Sequence, residues 1–81
     1  MNDNVDYGAP AELFPAPSHR RGQLRYHRFD TLAEAVRFAE EELSPDQRAG
    51  ALIEADEIRY AGDEIAALYN AVGYPLPRAP H

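Results

Sequence analysis

The stretch from Phe29 to Leu43 most constrains the fold, because a helix start signal, a helical apolar period and a stop signal coincide there. Thr31 followed three residues later by Glu34 is the pattern of a capping box, in which side chain and backbone satisfy each other at a helix N-terminus. Pro45 ends the stretch, since the residue before a proline is disfavoured in the α conformation. The apolar residues that share one helix face are Leu32, Val36, Ala39 and Leu43. An amphipathic helix facing a core is predicted.

A second helix is predicted from about Asp63 to Val72. Its apolar residues recur without a fault at the helical period. Gly73 is expected to end this helix in a left-handed conformation, with Tyr74 packing back onto the last turn. The residues that carry the period are Ile65, Leu68, Tyr69 and Val72.

Three strands are predicted from shorter patterns. Residues 24–29 alternate apolar and polar side chains, and residues 51–55 and 58–60 are apolar runs that suit a hairpin. The turn of this hairpin would be Asp56-Glu57, which is not the Asn-Gly or Asp-Gly pair that tight two-residue turns prefer. Between helix and hairpin, Ser44-Pro45-Asp46-Gln47 repeats the capping pattern and predicts a single helical turn that stops at Gly50.

The predicted fold is a small α+β domain with the order β-α-β-β-α over residues 24–74. The connection between the first two strands, about twenty residues including a helix, is long enough for a parallel crossover. We therefore expect a three-stranded mixed sheet with two helices packed on one face. Residues 1–23 are predicted to be a disordered or loosely attached tail, and residues 75–81 an extended C-terminal tail. The predicted core is Leu24, Tyr26, Leu32, Val36, Ala39, Leu43, Ile53, Ile58, Tyr60, Ile65, Leu68 and Val72.

Composition narrows the functional classes. The 81 residues contain no cysteine, so disulfides, thiolate catalysis and cysteine-bound zinc are excluded. No apolar run is long enough to span a bilayer and no signal pattern opens the chain, so a cytoplasmic protein without membrane association is predicted. The formal net charge is −6, which disfavours nucleic-acid binding by bulk electrostatics.

One short stretch is nevertheless basic, and it is the first candidate site. Arginines interleaved with an aromatic residue can bind phosphates and stack on bases. The alternative is structural: Arg25, His27 and Arg28 would pair across the sheet with acidic residues on neighbouring strands and neutralise the stretch. Those acidic residues would be Glu54, Asp56 and Glu57. The candidate contacts are Arg20, Arg21, Arg25, His27 and Arg28.

A second candidate is the apolar pair Leu13 and Phe14, which stands in the polar, proline-rich N-terminal region. It could act as a docking knob for a partner or fold back onto its own domain. For metals, the three histidines share no ligand spacing, and the run Glu40-Glu41-Glu42 cannot converge on one ion from a helix. No nucleophile motif or phosphate loop is present, so no enzyme activity, cofactor or metal is predicted.

The sequence thus favours a small non-catalytic protein-interaction or regulatory module that acts through a sheet edge or an acidic helix surface. Because so small a core gives little net stability, a partner protein or a second copy in a homodimer is expected. Two alternatives stay open: nucleic-acid binding through residues 19–28, and a small-molecule or metal-binding domain.

Overall fold

The computed structural model describes residues 5–15 and 26–78. In these ranges the elements are β1 (Ala11–Phe14), β2 (His27–Phe29), α1 (Leu32–Glu42), α2 (Pro45–Ala49), β3 (Leu52–Ala55), β4 (Ile58–Ala61) and α3 (Gly62–Asn70). The described strands form one sheet in the order β2-β1-β3-β4, and each neighbouring pair is antiparallel. The predicted α+β class is confirmed.

The predicted three-stranded mixed sheet is wrong, because the sheet has a fourth strand and is antiparallel. The added strand is β1, which lies inside the region predicted as a tail and occupies an inner position of the sheet. β1 holds only four residues between Pro10 and Pro15, too few for an alternating pattern to stand out from the sequence around it. Once paired on both sides, this short segment buries Leu13 completely.

The position of β1 also explains the error in strand direction. β2 and β3 are both antiparallel to β1, so they run in the same direction, as a crossover through a helix requires. They are not neighbours, however, because β1 lies between them. In chain order, β1 and β2 are followed by α1 and α2, and β3 and β4 are followed by α3. The first strand of each half, β1 or β3, lies at the centre of the sheet, and these two strands pair antiparallel.

Both predicted residues cap their helices, but among the described residues the reciprocal capping box predicted at Thr31 is formed only in half. The Thr31 hydroxyl accepts the backbone N–H of Glu34 at 3.1 Å and starts α1. At Ser44 the capping is reciprocal, since the Gln47 N–H donates to Ser44 Oγ and the Ser44 N–H donates to Gln47 Oε1, both at 3.3 Å. The predicted single turn is the five-residue helix α2, so the described part of the chain has three helices instead of two.

Two contacts fix α2 between the longer helices. Arg48 donates from Nη1 to the carbonyl oxygen of Glu40 at 2.7 Å, which satisfies one of the last carbonyl groups of α1. On the other side, a Cβ at Gly62 would lie 2.7 Å from the carbonyl oxygen of Ala49, so the first residue of α3 must be glycine for α2 to approach this closely.

The C-terminal end of α3 differs from the prediction. The helix ends at Asn70, and Val72, predicted in the core, is fully exposed beyond it. Gly73 does not close the helix in a left-handed conformation. Arg78 instead satisfies carbonyl groups at the end of the helix, because its guanidinium donates to the carbonyl oxygens of Tyr69 at 2.6 Å and Ala71 at 2.7 Å. The residues predicted as an extended C-terminal tail are therefore anchored as far as Arg78.

The β3–β4 hairpin is present as predicted. Asp56 and Glu57 both have positive φ, 54° and 66°, which is the backbone conformation of a type I′ turn. Neither residue is glycine, so the backbone of both is held in a φ region that residues with a side chain rarely adopt.

The core lies between one face of the sheet and helices α1 and α3. We call this side of the sheet the covered face; its buried members are Ala11, Leu13, Ile53 and Ala55. Seven predicted core residues are buried: Leu32, Val36, Ala39, Leu43, Ile53, Ile65 and Leu68. Tyr60 is half-buried, whereas Tyr26 and Ile58 are exposed and do not belong to the core; Leu24 lies outside the described residues. Buried residues that the prediction missed include Leu13, Tyr69, Tyr74 and most of the alanines.

Candidate functional site

The side of the sheet away from the helices is the best candidate for a functional surface. Because alternate residues of a strand point to opposite sides, every second strand residue faces away from the core. We call this side the open face, and we include Tyr26 because its side chain contacts two of its members. Its residues are Glu12, Phe14, Tyr26, Arg28, Leu52, Glu54, Arg59 and Ala61.

A row of four charged residues crosses the open face, one from each strand. The pairing register places Arg28 opposite Glu12, Glu12 opposite Glu54, and Glu54 opposite Arg59. Two carboxylates thus lie side by side at the centre with an arginine at each end. Like charges in directly opposed positions destabilise a sheet. The sequence therefore tolerates an unfavourable pair at the middle of this surface.

The two central carboxylates have different partners. Glu54 forms an ion pair with Arg59, with 2.9 Å between Oε2 and Nε, and the exposed arginine makes this pair worth little. Glu12 accepts a hydrogen bond from the Tyr26 hydroxyl at 3.0 Å. Within the described ranges that neutral hydroxyl is the only hydrogen-bond donor to its carboxylate, and Glu12 forms no direct ion pair with Arg28, the cation opposite it on the neighbouring strand.

One end of the open face is apolar. Phe14 and Tyr26 are 37% and 52% exposed, and their rings pack with centroids 5.4 Å apart. Leu52 lies directly opposite Phe14 on the neighbouring strand and is partly buried. Large apolar side chains that cluster on a surface are typical of protein contact sites, whereas single exposed ones are ordinary. This apolar end consists of Phe14, Tyr26 and Leu52.

The opposite end of the open face is a shallow, acidic cavity of about 550 Å³. It lies beside the β3–β4 turn, where Asp56 and Glu57 are exposed. Four carboxylates and two guanidinium groups border it, so its charge is negative. Its lining consists of Pro10, Ala11, Glu12, Arg28, Glu54, Ala55, Asp56, Glu57 and Arg59.

The predicted basic stretch is divided by the fold. Arg28 is on the open face, opposite Glu12, and does not face Glu54 directly. His27 is on the covered side, where its ring stacks on Phe29 with 4.5 Å between centroids and lies 5.2 Å from the ring of Phe38. Neighbouring strand residues cannot contribute to one continuous patch. Arg20, Arg21 and Arg25 lie outside the described residues.

The predicted docking knob is also divided. Leu13 has no exposed surface and belongs to the core, so it is not accessible to a partner. Phe14 is on the open face and accessible. The sequence prediction missed that Glu12, Tyr26 and Glu54 share this face with Phe14, because that arrangement depends on β1 being an inner strand.

Tyrosines form the largest polar-aromatic group on the helix side. Tyr74 donates to the Ala33 carbonyl oxygen at 2.7 Å, and its burial raises the pKa of its hydroxyl to about 12. Burial also raises the pKa of Tyr7 and of Tyr60. The guanidinium of Arg78 lies 5.4 Å from the Tyr74 ring centroid, within cation–π range. These contacts connect the segments before β1 and after α3 to the core.

One carboxylate on the helix side is in an unfavourable environment. Burial raises the pKa of Glu40, an effect that the nearby Arg48 partly opposes. Its Oε2 atom is buried without a hydrogen-bond partner among the described residues. The adjacent cavity of about 350 Å³ also includes Asp63. Between residues 5–15 and 26–78, no group of three or more histidine, aspartate or glutamate side chains is placed to hold a metal ion.

Known proteins add no information about this surface. No protein-family model, no curated protein and no solved structure matches the chain. In the described ranges, none of the helices has the length and apolar character needed to cross a membrane.

Proposed function

We propose that the protein is a small, non-catalytic interaction module that binds a partner protein through the open face of its sheet. The observation that carries this proposal is the apolar end of that face. Phe14 is 37% exposed and Tyr26 52% exposed, and their rings pack together. The pair therefore presents apolar area that is not buried in the protein's own core. Covering such aromatic side chains on binding is a common source of interface energy.

The composition of the rest of the open face supports the same proposal. Protein interfaces combine an apolar centre with a polar, charged rim that determines which partner fits. Here the charged row begins two positions along each strand from the aromatic rings: Glu12 precedes Phe14, and Arg28 follows Tyr26. The two edge strands, by contrast, have three and four residues. Edges this short offer few backbone groups for strand addition, so the face is the better surface than the edge.

The proposal is tested by affinity capture from cell extract with the full chain immobilised. Three proteins are compared: the natural chain, the double variant Phe14→Ser with Tyr26→Ser, and the control Val72→Ser. Val72 is a fully exposed apolar residue outside the sheet, so its replacement matches the loss of apolar area at another place. Sedimentation of the purified chain at several concentrations shows whether the partner is a second copy.

We expect the natural chain and the Val72→Ser control to retain the same protein, or to self-associate equally, and the double variant to lose this binding. Circular dichroism melting shows that all three proteins are folded at the temperature of the capture, although loss of the packed ring pair should lower the midpoint of the double variant by several degrees. A double variant that binds as well as the natural chain would overturn the proposal. So would a natural chain that remains monomeric and captures nothing.

A further inference from the structure

We infer that the partner segment that docks on the open face is cationic and extended, with an apolar side chain and an arginine or lysine two positions apart. This inference rests on the proposed function and adds the chemistry of the partner. It follows from three observations: the charge of the described surface, the Glu12 carboxylate that accepts only a neutral hydroxyl among the described residues, and the distance between the apolar and acidic parts of the open face.

The surface charge selects the sign of the partner. Residues 5–15 and 26–78 contain 13 acidic residues and five arginines, which gives this part of the chain a net charge of −8. On the open face two arginines match the two central carboxylates, so the local excess of negative charge comes from the hairpin turn, Asp56 and Glu57. A segment that brings positive charge therefore gains attraction from the whole surface and from the acidic cavity, whereas an anionic segment is repelled.

The local chemistry selects the positively charged group. A guanidinium placed beside Glu12 would bring a cationic donor to a carboxylate that has a neutral one, and a guanidinium can bind a carboxylate through two parallel hydrogen bonds. Asp56 and Glu57 border the same cavity and are exposed at the hairpin turn. The ring faces of Phe14 and Tyr26 can also attract a cation that lies between the two parts of the face.

The spacing selects the shape of the partner. Glu12 and Phe14 are two residues apart on β1, so the acidic and apolar parts of the open face are separated by about 7 Å. An extended segment repeats its side-chain direction at the same distance of about 7 Å. One that lies along β1 would thus present an apolar residue to Phe14 and a cationic residue to Glu12 simultaneously. A helical partner would need the same two side chains at positions three or four apart, so the sequence spacing of the bound segment distinguishes the two shapes.

The inference is tested by an NMR titration of the isotope-labelled full chain with short end-blocked peptides. The first peptide alternates leucine and arginine with glycine at the inferred spacing; the second replaces arginine with glutamate. A single-stranded oligonucleotide forms a third arm. We expect the arginine peptide to bind more weakly as ionic strength rises and to shift the amide signals of Glu12, Phe14 and Glu54 most. The glutamate peptide and the oligonucleotide should produce no saturable shift.

A matched pair of variants locates the charge effect. Glu12→Gln with Asp56→Asn removes two charges from the open face, and Glu42→Gln with Asp46→Asn removes two from the exposed helix surface. The open-face variant should weaken arginine-peptide binding at least about tenfold, the expected effect of losing charge-assisted hydrogen bonds. The helix-surface variant should weaken it less than about threefold, through long-range attraction alone.

Equal weakening by the two double variants, stronger binding of the oligonucleotide, or absence of saturable peptide binding would overturn the inference. The proposed function is tested separately by the loss of partner capture in the Phe14→Ser, Tyr26→Ser variant. A partner that is lost with the aromatic residues but insensitive to salt and to Glu12→Gln would retain the proposed function and reject the cationic partner.

Discussion

The two faces of the sheet are made by the same strands and yet differ in burial and in chemistry. On β1, Leu13 has no exposed surface, whereas the next residue, Phe14, is 37% exposed. On β3 the same step separates buried Ile53 from half-buried Glu54. The covered face consists of aliphatic side chains packed against two helices, and the open face of an aromatic pair and a charged row. The comparison teaches that the apolar burial that drives folding is concentrated on one side of the sheet, whereas the other side keeps large aromatic side chains partly exposed.

The largest expected contrast is between neighbours on β1. Leu13→Ala should lower the free energy of unfolding by about 2–5 kcal/mol, because it removes fully buried apolar volume and leaves a cavity. Phe14→Ala should lower it less, by about 1–2 kcal/mol, since 37% of the residue is already in contact with water and no closed cavity results. Denaturant unfolding of the two variants measures both values. Equal losses would contradict the division of the sheet into a covered and an open face.

The second contrast concerns pH and lies on the helix side. The neutral hydroxyl of Tyr74 is favoured in the folded protein, since burial raises its pKa from 10.0 to about 12. This contribution to stability is complete below pH 10.0 and is lost as pH rises towards about 12. Tyr74→Phe should cost about 1 kcal/mol at neutral pH, through the hydrogen bond to Ala33, and should flatten the loss of stability in that window. An unchanged pH slope in the variant would show that Tyr74 does not titrate in this way.

The smallest expected effect is a gain in the turn that joins β3 to β4, at the margin of the open face. Glu57→Gly should stabilise the protein by up to about 1 kcal/mol, because glycine adopts a positive φ such as the 66° observed there without steric cost. Thermal melting at neutral pH measures this gain. A control, Ala67→Gly at an exposed position inside α3, should destabilise by about 1 kcal/mol, as glycine does in a helix interior. Destabilisation by Glu57→Gly would argue against the type I′ turn.

Elements that depend on strong local sequence patterns could be predicted from the sequence. The helix starts at Thr31 and Ser44 depend on side-chain hydrogen bonds within three residues, so their prediction needed no tertiary information. The β3–β4 hairpin is equally local. For α3, the apolar period correctly gave Ile65 and Leu68, but it continued past the true end because Tyr74 and Arg78, not Gly73, determine how the chain leaves the helix.

Elements that depend on distant partners could not be predicted in the same way. Ala11–Phe14 is a strand because β2 and β3 pair with it on both sides, and four residues carry too little periodicity to reveal this. The candidate surface was missed for the same reason: Glu12, Glu54 and Arg59 become neighbours only through the pairing register. Small buried residues such as Ala35 and Ala55 likewise give little hydrophobic signal, although they allow the helices to approach the sheet.

The most direct test of the two-faced sheet uses the absence of cysteine from the chain. Single substitutions place one thiol on each face: Leu13→Cys and Ile53→Cys on the covered face, Phe14→Cys and Glu54→Cys on the open face. The rate of reaction with a thiol reagent is then measured under native conditions. We predict rapid labelling of the thiols at positions 14 and 54, and labelling at positions 13 and 53 that is limited by unfolding. Rapid labelling at all four positions, or protection of the open-face pair, would contradict the account.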